Sequence, residues 1–468
     1  MPTDLLAHNL LTHKEVVANL ELFCAWVEAQ LVQREQPGIS VGLIYDQTLI
    51  WQRSFGYANV EKRIPMTAQT ICRIASITKL FTSTAVMQLR DEGLLQLDDP
   101  VKKHLPWFHL RNPHPDTPVV TIRHLLAHAG GLPREAAFPY WSTNEFPSVE
   151  EVQAALPEQE FALPTGSDWK YSNLSLMLAG EIVAAVAKMP YNSYVQENIL
   201  QPLGMTNTFV ETIPPDHPLL AVGYGRRFPN MPRTSGLHTD CRGMEPAANM
   251  ASTVEDLAKF VMLQFRGGSR QGQQVLAGTS LREMHRVQWL NDDWSAGRGI
   301  GFYVWRLHGR TLVGHGGALP GYRSDLQCAP ADKVGAVVLT NADDGLPLIY
   351  MDKLFQWVAP ALIKAAAAKP AAAATAEEWQ RYVGRYRNPW GDGQVIIYQD
   401  ELVLIAPGEP DPLAGITKLK PIGPHTFRIE TKEHFASNGE LAVFEVDAAG
   451  NVTRLKLGNV YTYPVASW

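Results

Sequence analysis

The sequence predicts a mixed α/β (α+β) region built on an antiparallel sheet flanked by helices, with a helical subdomain inside it and a small all-β domain after it. Strand-period alternation occurs at both ends of the first 360 or so residues, and helical periodicity fills the middle. An alanine-rich stretch then separates this region from a closing series of short strands.

Near the N-terminus Ile39, Val41, Leu43 and Tyr45 alternate with small or polar residues, Asp46-Gln47 interrupts them, and Leu49 and Trp51 resume, the pattern of a hairpin. From Ser76 the period changes. Ile77, Leu80, Phe81, Thr84, Ala85 and Gln88 form one stripe, so a largely buried helix is expected to begin at Ser76 and run toward Gly93. Helix-like stretches such as Leu174 to Ala187 and Thr253 to Phe265 follow, separated by proline-rich loops. Tyr303 to Leu307, Arg310 to Gly314, Tyr322 to Cys328 and Val334 to Thr340 read as an antiparallel meander turning at His308-Gly309 and Ala331-Asp332. The run KAAAAKPAAAATA reads as a linker over 364–376, which divides the chain into domains 1–363 and 377–468. In the second, Val395 to Tyr398, Leu402 to Ile405, Thr426 to Ile429, Ala442 to Val446 and Val452 to Leu457 predict a small barrel or sandwich.

Composition narrows the function classes. With 468 residues, 46% hydrophobic and 19% charged, the chain is expected to fold into more than one unit. A net charge of -6 gives no basic surplus for nucleic acid. No apolar run approaches a membrane span, the start lacks a signal-peptide pattern, and Cys24, Cys72, Cys241 and Cys328 stand far apart without C-x-x-C spacing. These features predict a cytoplasmic protein with reduced thiols. His124 and His128 are four apart but lack the glutamate of H-E-x-x-H, and nucleotide-binding glycine motifs are missing, so neither metal nor organic cofactor is expected.

Three short elements can carry chemistry. Ser76-Ile77-Thr78-Lys79 is an S-x-x-K at a helix start, where the lysine amine can reach the serine hydroxyl and, once desolvated, serve as its base. Tyr171-Ser172-Asn173 precedes an apolar helix: a tyrosine beside a lysine can share its proton, and the asparagine can offer a donor and an acceptor. His315-Gly316-Gly317-Ala318 ends a predicted strand, where glycines allow close backbone approach and an edge can present N–H groups to a carbonyl oxygen. Tyr140-Trp141 and Trp107-Phe108 are read as core aromatics, with walls of an acyl pocket as the alternative, and Arg323 as a surface or salt-bridged residue, with a cation restored to the site as its alternative.

In this order and spacing the elements resemble the serine β-lactamase and penicillin-binding-protein superfamily, in the branch of class C β-lactamases, D-aminopeptidases and family VIII carboxylesterases. Phe55-Gly56-Tyr57-Ala58-Asn59, Thr121 to His128, Pro202-Leu203-Gly204-Met205 and Ala251 to Leu257 add to the likeness, which covers about residues 30 to 350. The resemblance implies a β-lactamase-like catalytic domain and a lipocalin-like C-terminal barrel. It also implies Ser76 as acylated nucleophile, Lys79 as base, Tyr171 as proton relay and Asn173 as orienting residue. The oxyanion would meet the N–H groups of Ser76 and Ala318, with His315, Gly316 and Gly317 along the substrate. The family's third motif is usually Lys-Thr-Gly, and histidine here is largely neutral at pH 7, so carboxylated β-lactams should be poor substrates. The expected activity is a carboxylesterase on small acyl esters. D-amino-acid peptidase or amidase, acyltransferase and non-catalytic sensor remain as alternatives. The expected partner is a small ester or amide, and the C-terminal domain is free to cover the site, bind a ligand or hold a homo-oligomer together.

Overall fold

Strands Gly38–Tyr45 and Val334–Thr340 pair at the centre of a nine-stranded sheet and so join the two ends of the first part of the chain. Outward on one side lie Thr48–Asn59 and Ile64–Pro65, and on the other Tyr322–Ala329, Arg310–Leu319, Tyr303–Leu307, Ala296–Arg298 and Trp289–Leu290. Every pairing is antiparallel. This computed structural model describes residues 9–367, 376–413, 415–433 and 436–465. The chain forms two compact units, Met1–Ala367 and Ala368–Trp468.

The two faces of the sheet explain the sequence pattern. Ile39, Val41, Leu43, Ala336 and Val338 face a layer made by helix Lys14–Arg34 and the segment from Pro347 to Ala367. Leu326, Cys328, Val337 and Leu339 face the other way, toward helix Val254–Leu263 and the helical region. Val334–Thr340 is buried throughout because both faces are covered, so it reads as an apolar run rather than an alternation.

In the helical region, Thr78–Asp91 is buried from Thr78 to Leu89 and packs on helix Asn173–Ala187. The predicted helix start is corrected by one short turn: Ala75–Ile77 is a 3-10 turn, and the α-helix begins at Thr78. The predicted strand ending at Gly314 also runs on to Leu319. Residues 364–367 close helix Ala359–Ala367 and residue 376 opens helix Ala376–Trp379, while 368–375 of the expected linker, like 1–8, lie outside the described residues. No single described helix is long and apolar enough to cross a membrane. All four cysteines are buried and unpaired.

The second unit is a closed eight-stranded antiparallel barrel, consistent with a lipocalin-like barrel. Its strands include three that the sequence pattern missed, Gly384–Asn388, Thr417–Gly423 and Val460–Pro464. In each, arginines, lysines or tyrosines on the outer side dilute the alternation, and only Tyr386, Leu419 or Thr462 is buried. Tyr382, Phe427 and Phe444 fill one end of the interior.

One close approach fixes the helical region. A Cβ at Gly180 would fall on the Pro246 ring, so helix Asn173–Ala187 meets segment Glu245–Ala248 through a glycine. Gly180→Val should lower stability by about 1–3 kcal/mol through overpacking. Urea unfolding followed by tryptophan fluorescence measures this, and an unchanged midpoint would contradict the close packing.

Candidate active site

Ser76 sits where strand Cys72–Arg73 hands over to the buried helix. Arg73 locks the entry, its guanidinium donating to Thr239 O at 2.6 Å, Asn249 O at 3.1 Å and Asn249 Oδ1 at 2.9 Å. Ile74 N–H then donates to Met250 O at 2.9 Å. Ala75, directly before the serine, has φ 47°, a left-handed conformation that costs a non-glycine residue about 1–3 kcal/mol. The turn therefore presents Ser76 under strain that the packing around it must hold.

Lys79 lies one turn on and has no exposed surface. Its Nζ reaches Ser76 Oγ at 3.0 Å, Asn173 Oδ1 at 2.7 Å and Ala247 O at 2.6 Å. Burial pulls its pKa down to about 7, an effect the carboxylate of Glu135 opposes and the charge of Arg134 reinforces. The geometry suits both protonation states. As ammonium it donates all three bonds; as free amine it keeps the two to Asn173 and Ala247 and turns its lone pair to the serine hydroxyl.

Tyr171 and Asn173 enter from the loop and first turn of helix Asn173–Ala187, whose start is capped by Ser172 accepting from Ser175 N–H at 3.0 Å. Tyr171 Oη donates to Ser76 Oγ at 2.9 Å. Its ring lies against His128, with centroids 4.6 Å apart, and 5.0 Å from Lys79 Nζ. Burial, with Tyr303 adding to it, pushes the phenol's pKa upward, so this side chain keeps its proton at neutral pH. Asn173 Nδ2 donates to Glu135 Oε1 at 2.8 Å. A carboxylate only accepts, so Glu135 fixes which end of the amide faces Lys79. Tyr140 in turn donates to Glu135 Oε2.

The third element closes the site from the sheet. Strand Tyr303–Leu307 pairs with Arg310–Leu319 only as far as Gly314, so residues 315–319 have an edge free of this neighbour. A Cβ at Gly317 would fall on Ile74 O and Ser324 Oγ, so this glycine is what lets the strand lie against the turn carrying Ser76. His315 is 3% exposed and stacks on Tyr303, with centroids 4.6 Å apart and planes at 18°. Its Nδ1 lies 2.5 Å from Gly316 O, which makes Nδ1 the protonated nitrogen and leaves Nε2 a lone pair with no partner among the described residues. Burial pulls the imidazole pKa down to about 3, with the charge of Lys79 adding to it. Arg298 backs this stack, its guanidinium 4.2 Å from the Tyr303 ring centroid and 3.8 Å from that of Trp169.

Ser76, Tyr171, Asn173 and residues 315–318 all border one cavity of about 760 Å³, while Lys79 lies behind its wall. Trp141 is 41% exposed and lines this cavity, the pocket-wall alternative of its reading, while Tyr140 and Phe108 are buried. Arg323 pairs with Asp343 at 3.2 Å. His128 accepts Ser172 N–H at 3.2 Å and His124 joins a capping box with Thr121, and no metal-holding group of three or more ligand side chains occurs among the described residues. Sequence reasoning missed Glu135, Trp169, Arg298, Tyr303 and Asp325. Glu135 follows Gly-Leu-Pro-Arg in a loop with no periodicity, so no local signal marks it.

A family model described as Beta-lactamase matches residues 23–357. "Beta-lactamase-like protein 2" of Dictyostelium discoideum is 31% identical over 301 residues, 63% of this chain and 54% of its own length. "Protein flp" of Staphylococcus aureus is 27% identical over 330 residues, 70% of this chain and 64% of its own. The chain thus spans between half and two thirds of the length of these relatives. Among solved structures, the octameric penicillin-binding protein homologue from Pyrococcus abyssi superposes with TM-score 0.63 and 25% identity, covering 95% of this chain and 99% of that one. The D-amino acid amidase from Ochrobactrum anthropi SV3 does so with TM-score 0.60 and 25% identity, covering 74% and 98%. With the family model spanning most of the chain and these neighbours sharing its fold, the chain belongs to the Beta-lactamase family.

Proposed function

We propose that this protein is a serine hydrolase acting through an acyl-enzyme on Ser76, as a carboxylesterase on small esters, and on related amides, whose acyl part bears no carboxylate. The observation that carries this reading is one hydroxyl held between two proton-handling groups, with Lys79 Nζ at 3.0 Å and Tyr171 Oη at 2.9 Å. Neutral Lys79 takes the Ser76 proton as Oγ attacks the carbonyl carbon. The oxyanion is met by the N–H groups of Ser76 and Ala318. Tyr171 gives its proton to the leaving oxygen or nitrogen, and the resulting phenolate lies beside the Lys79 ammonium. In deacylation a water returns a proton to Tyr171 as its oxygen attacks, and Ser76 leaves with the proton held by Lys79. Protons balance over the cycle.

The third motif supports the choice of acyl group. Neutral His315 offers an acceptor rather than a charge, and Gly316 offers no hydroxyl, so these positions hold nothing that would favour a substrate carboxylate. The D-amino acid amidase neighbour supports keeping amides within the class.

Ser76→Ala should reduce p-nitrophenyl butyrate hydrolysis by at least about a thousandfold and abolish the acyl adduct seen by intact mass in the wild type. Retained turnover would sink the reading. The lysine must be neutral to act, and its lowered pKa lies near 7, so acylation should rise about tenfold per pH unit below about 7 and level off above it. A flat rate from pH 5 to 8 would exclude Lys79 as the base. In Glu135→Gln the amide can still accept from Asn173, but the charge that holds the Lys79 pKa up is gone. The acid limb of kcat/KM should then move to lower pH, whereas a merely structural role would lower the rate without moving the limb.

A further inference from the structure

The cavity that reaches Ser76 also reaches a carboxyl group the proposed mechanism does not use. Asp325 lies on strand Tyr322–Ala329, is 3% exposed, and lines the same cavity as Ser76. Its Oδ1 has no hydrogen-bond partner, and it makes no ion pair among the described residues. The two arginines that line the cavity are already engaged: Arg323 pairs with Asp343 at 3.2 Å and Arg134 with Glu135 at 3.1 Å. A buried carboxyl without a cation is costly, and here burial pushes its pKa up to about 7 although Gln327 works against the rise.

Access to this carboxyl depends on the third motif. Asp325 is the register partner of Gly316, so the two share a face of the sheet. A Cβ at Gly316 would sit 3.3 Å from Asp325 Oδ2, so any larger side chain there would extend over the carboxyl. Glycine puts no side chain over the carboxyl, and both residues line the cavity that Ser76 borders. Leu346, Pro347, Leu348 and Ile349 line the same cavity and bring no charge.

We propose that Asp325, uncovered by Gly316, is a cation-recognition subsite that takes an ammonium group on the acyl part of the substrate. The proposal rests on the acyl-enzyme reading and narrows its substrate class to amine-bearing acyl groups. An ammonium meets Oδ2, the oxygen that faces Gly316, as a charge-assisted hydrogen bond, and the Asp325 charge disfavours a substrate carboxylate at the same place.

The test compares alanine p-nitroanilide, as each enantiomer, with propionyl p-nitroanilide, which has the same skeleton without the amine. Acylation of Ser76 is followed by intact mass. The wild type should favour at least one alanine enantiomer about tenfold or more in kcat/KM. Asp325→Asn should bring that ratio close to one, mainly through KM. Gly316→Ser, which covers the carboxyl without changing it, should do the same and serves if the first variant does not fold. A wild-type ratio near one for both enantiomers, or a preference that survives both substitutions, would overturn the subsite while leaving the acyl-enzyme intact. Absence of any Ser76 adduct both with these three compounds and with p-nitrophenyl butyrate would instead overturn the acyl-enzyme reading, and the subsite with it.

Discussion

An amine with no exposed surface must find its acceptors inside the protein, and the arrangement of the site follows from satisfying Lys79. Its three partners come from the turn of Ser76, the start of helix Asn173–Ala187 and the segment at Ala247. Each partner is itself tied down: Ser76 by the Arg73 bonds before it, Asn173 by Glu135, and Ala247 by the packing of Pro246 against Gly180. Movement of any one segment would strand a buried nitrogen, at a cost comparable to a lost charged hydrogen bond, about 1.5–3 kcal/mol. The depressed pKa also has a global sign. The unfolded chain holds the Lys79 proton up to about 10.5 and the folded chain only to about 7, so burying it costs stability most below about pH 7. That penalty declines as pH rises from there. The group that strains the fold is the one the chemistry needs neutral.

The sheet contributes by approach rather than by side chains. Ala75 in a left-handed turn and Gly317 without a Cβ bring two backbones together, the turn of Ser76 and the strand edge at 315–319. Either feature alone would be an ordinary irregularity. Together they set N–H groups of two different elements around one cavity, while Ser324 Oγ, donating to Ile74 O at 2.9 Å, pins the seam. The Arg298–Tyr303–His315 stack then keeps the imidazole in one plane, and the Gly316 carbonyl keeps it in one tautomer.

Most of this was legible in the sequence where a local rule applied. Ser76 and Lys79 lie three apart at a helix start, Tyr171 and Asn173 stand at the start of an apolar helix, and the longer strands of the central sheet follow from alternation or an apolar run. The turn at Ala75–Ile77 was not legible, because helical periodicity is blind to whether the first turn is 3-10 or α. Strand Arg310–Leu319 was read short because His315, Gly316 and Gly317 are poor strand formers held by their partner strand. Glu135 and Asp325 were invisible for a different reason. Their meaning comes from what stands opposite them across long sequence distances, Asn173 for one and Gly316 for the other, and no period or motif in a single chain encodes that. Trp141 stayed between core and pocket wall because an aromatic pair gives no hint of which ring turns outward.

The departures in the third motif also belong together physically. Histidine where a lysine would stand removes a fixed positive charge, and its burial beside Tyr303 keeps it uncharged. Glycine where a threonine would stand removes a hydroxyl and, by the same absence, uncovers Asp325. One change removes a charge that would attract a carboxylate, and the other leaves uncovered the carboxyl proposed above to take an ammonium. The polarity of this end of the cavity is thus reversed by two residues without moving the backbone that presents them, because the edge of strand Arg310–Leu319 is held by its pairing with Tyr322–Ala329 and not by the side chains at 315 and 316. In the proposed mechanism, catalytic geometry and substrate charge fall to different atoms of the same four residues: backbone groups face the reacting carbonyl, and the side chains, or their absence, decide which charge accompanies it.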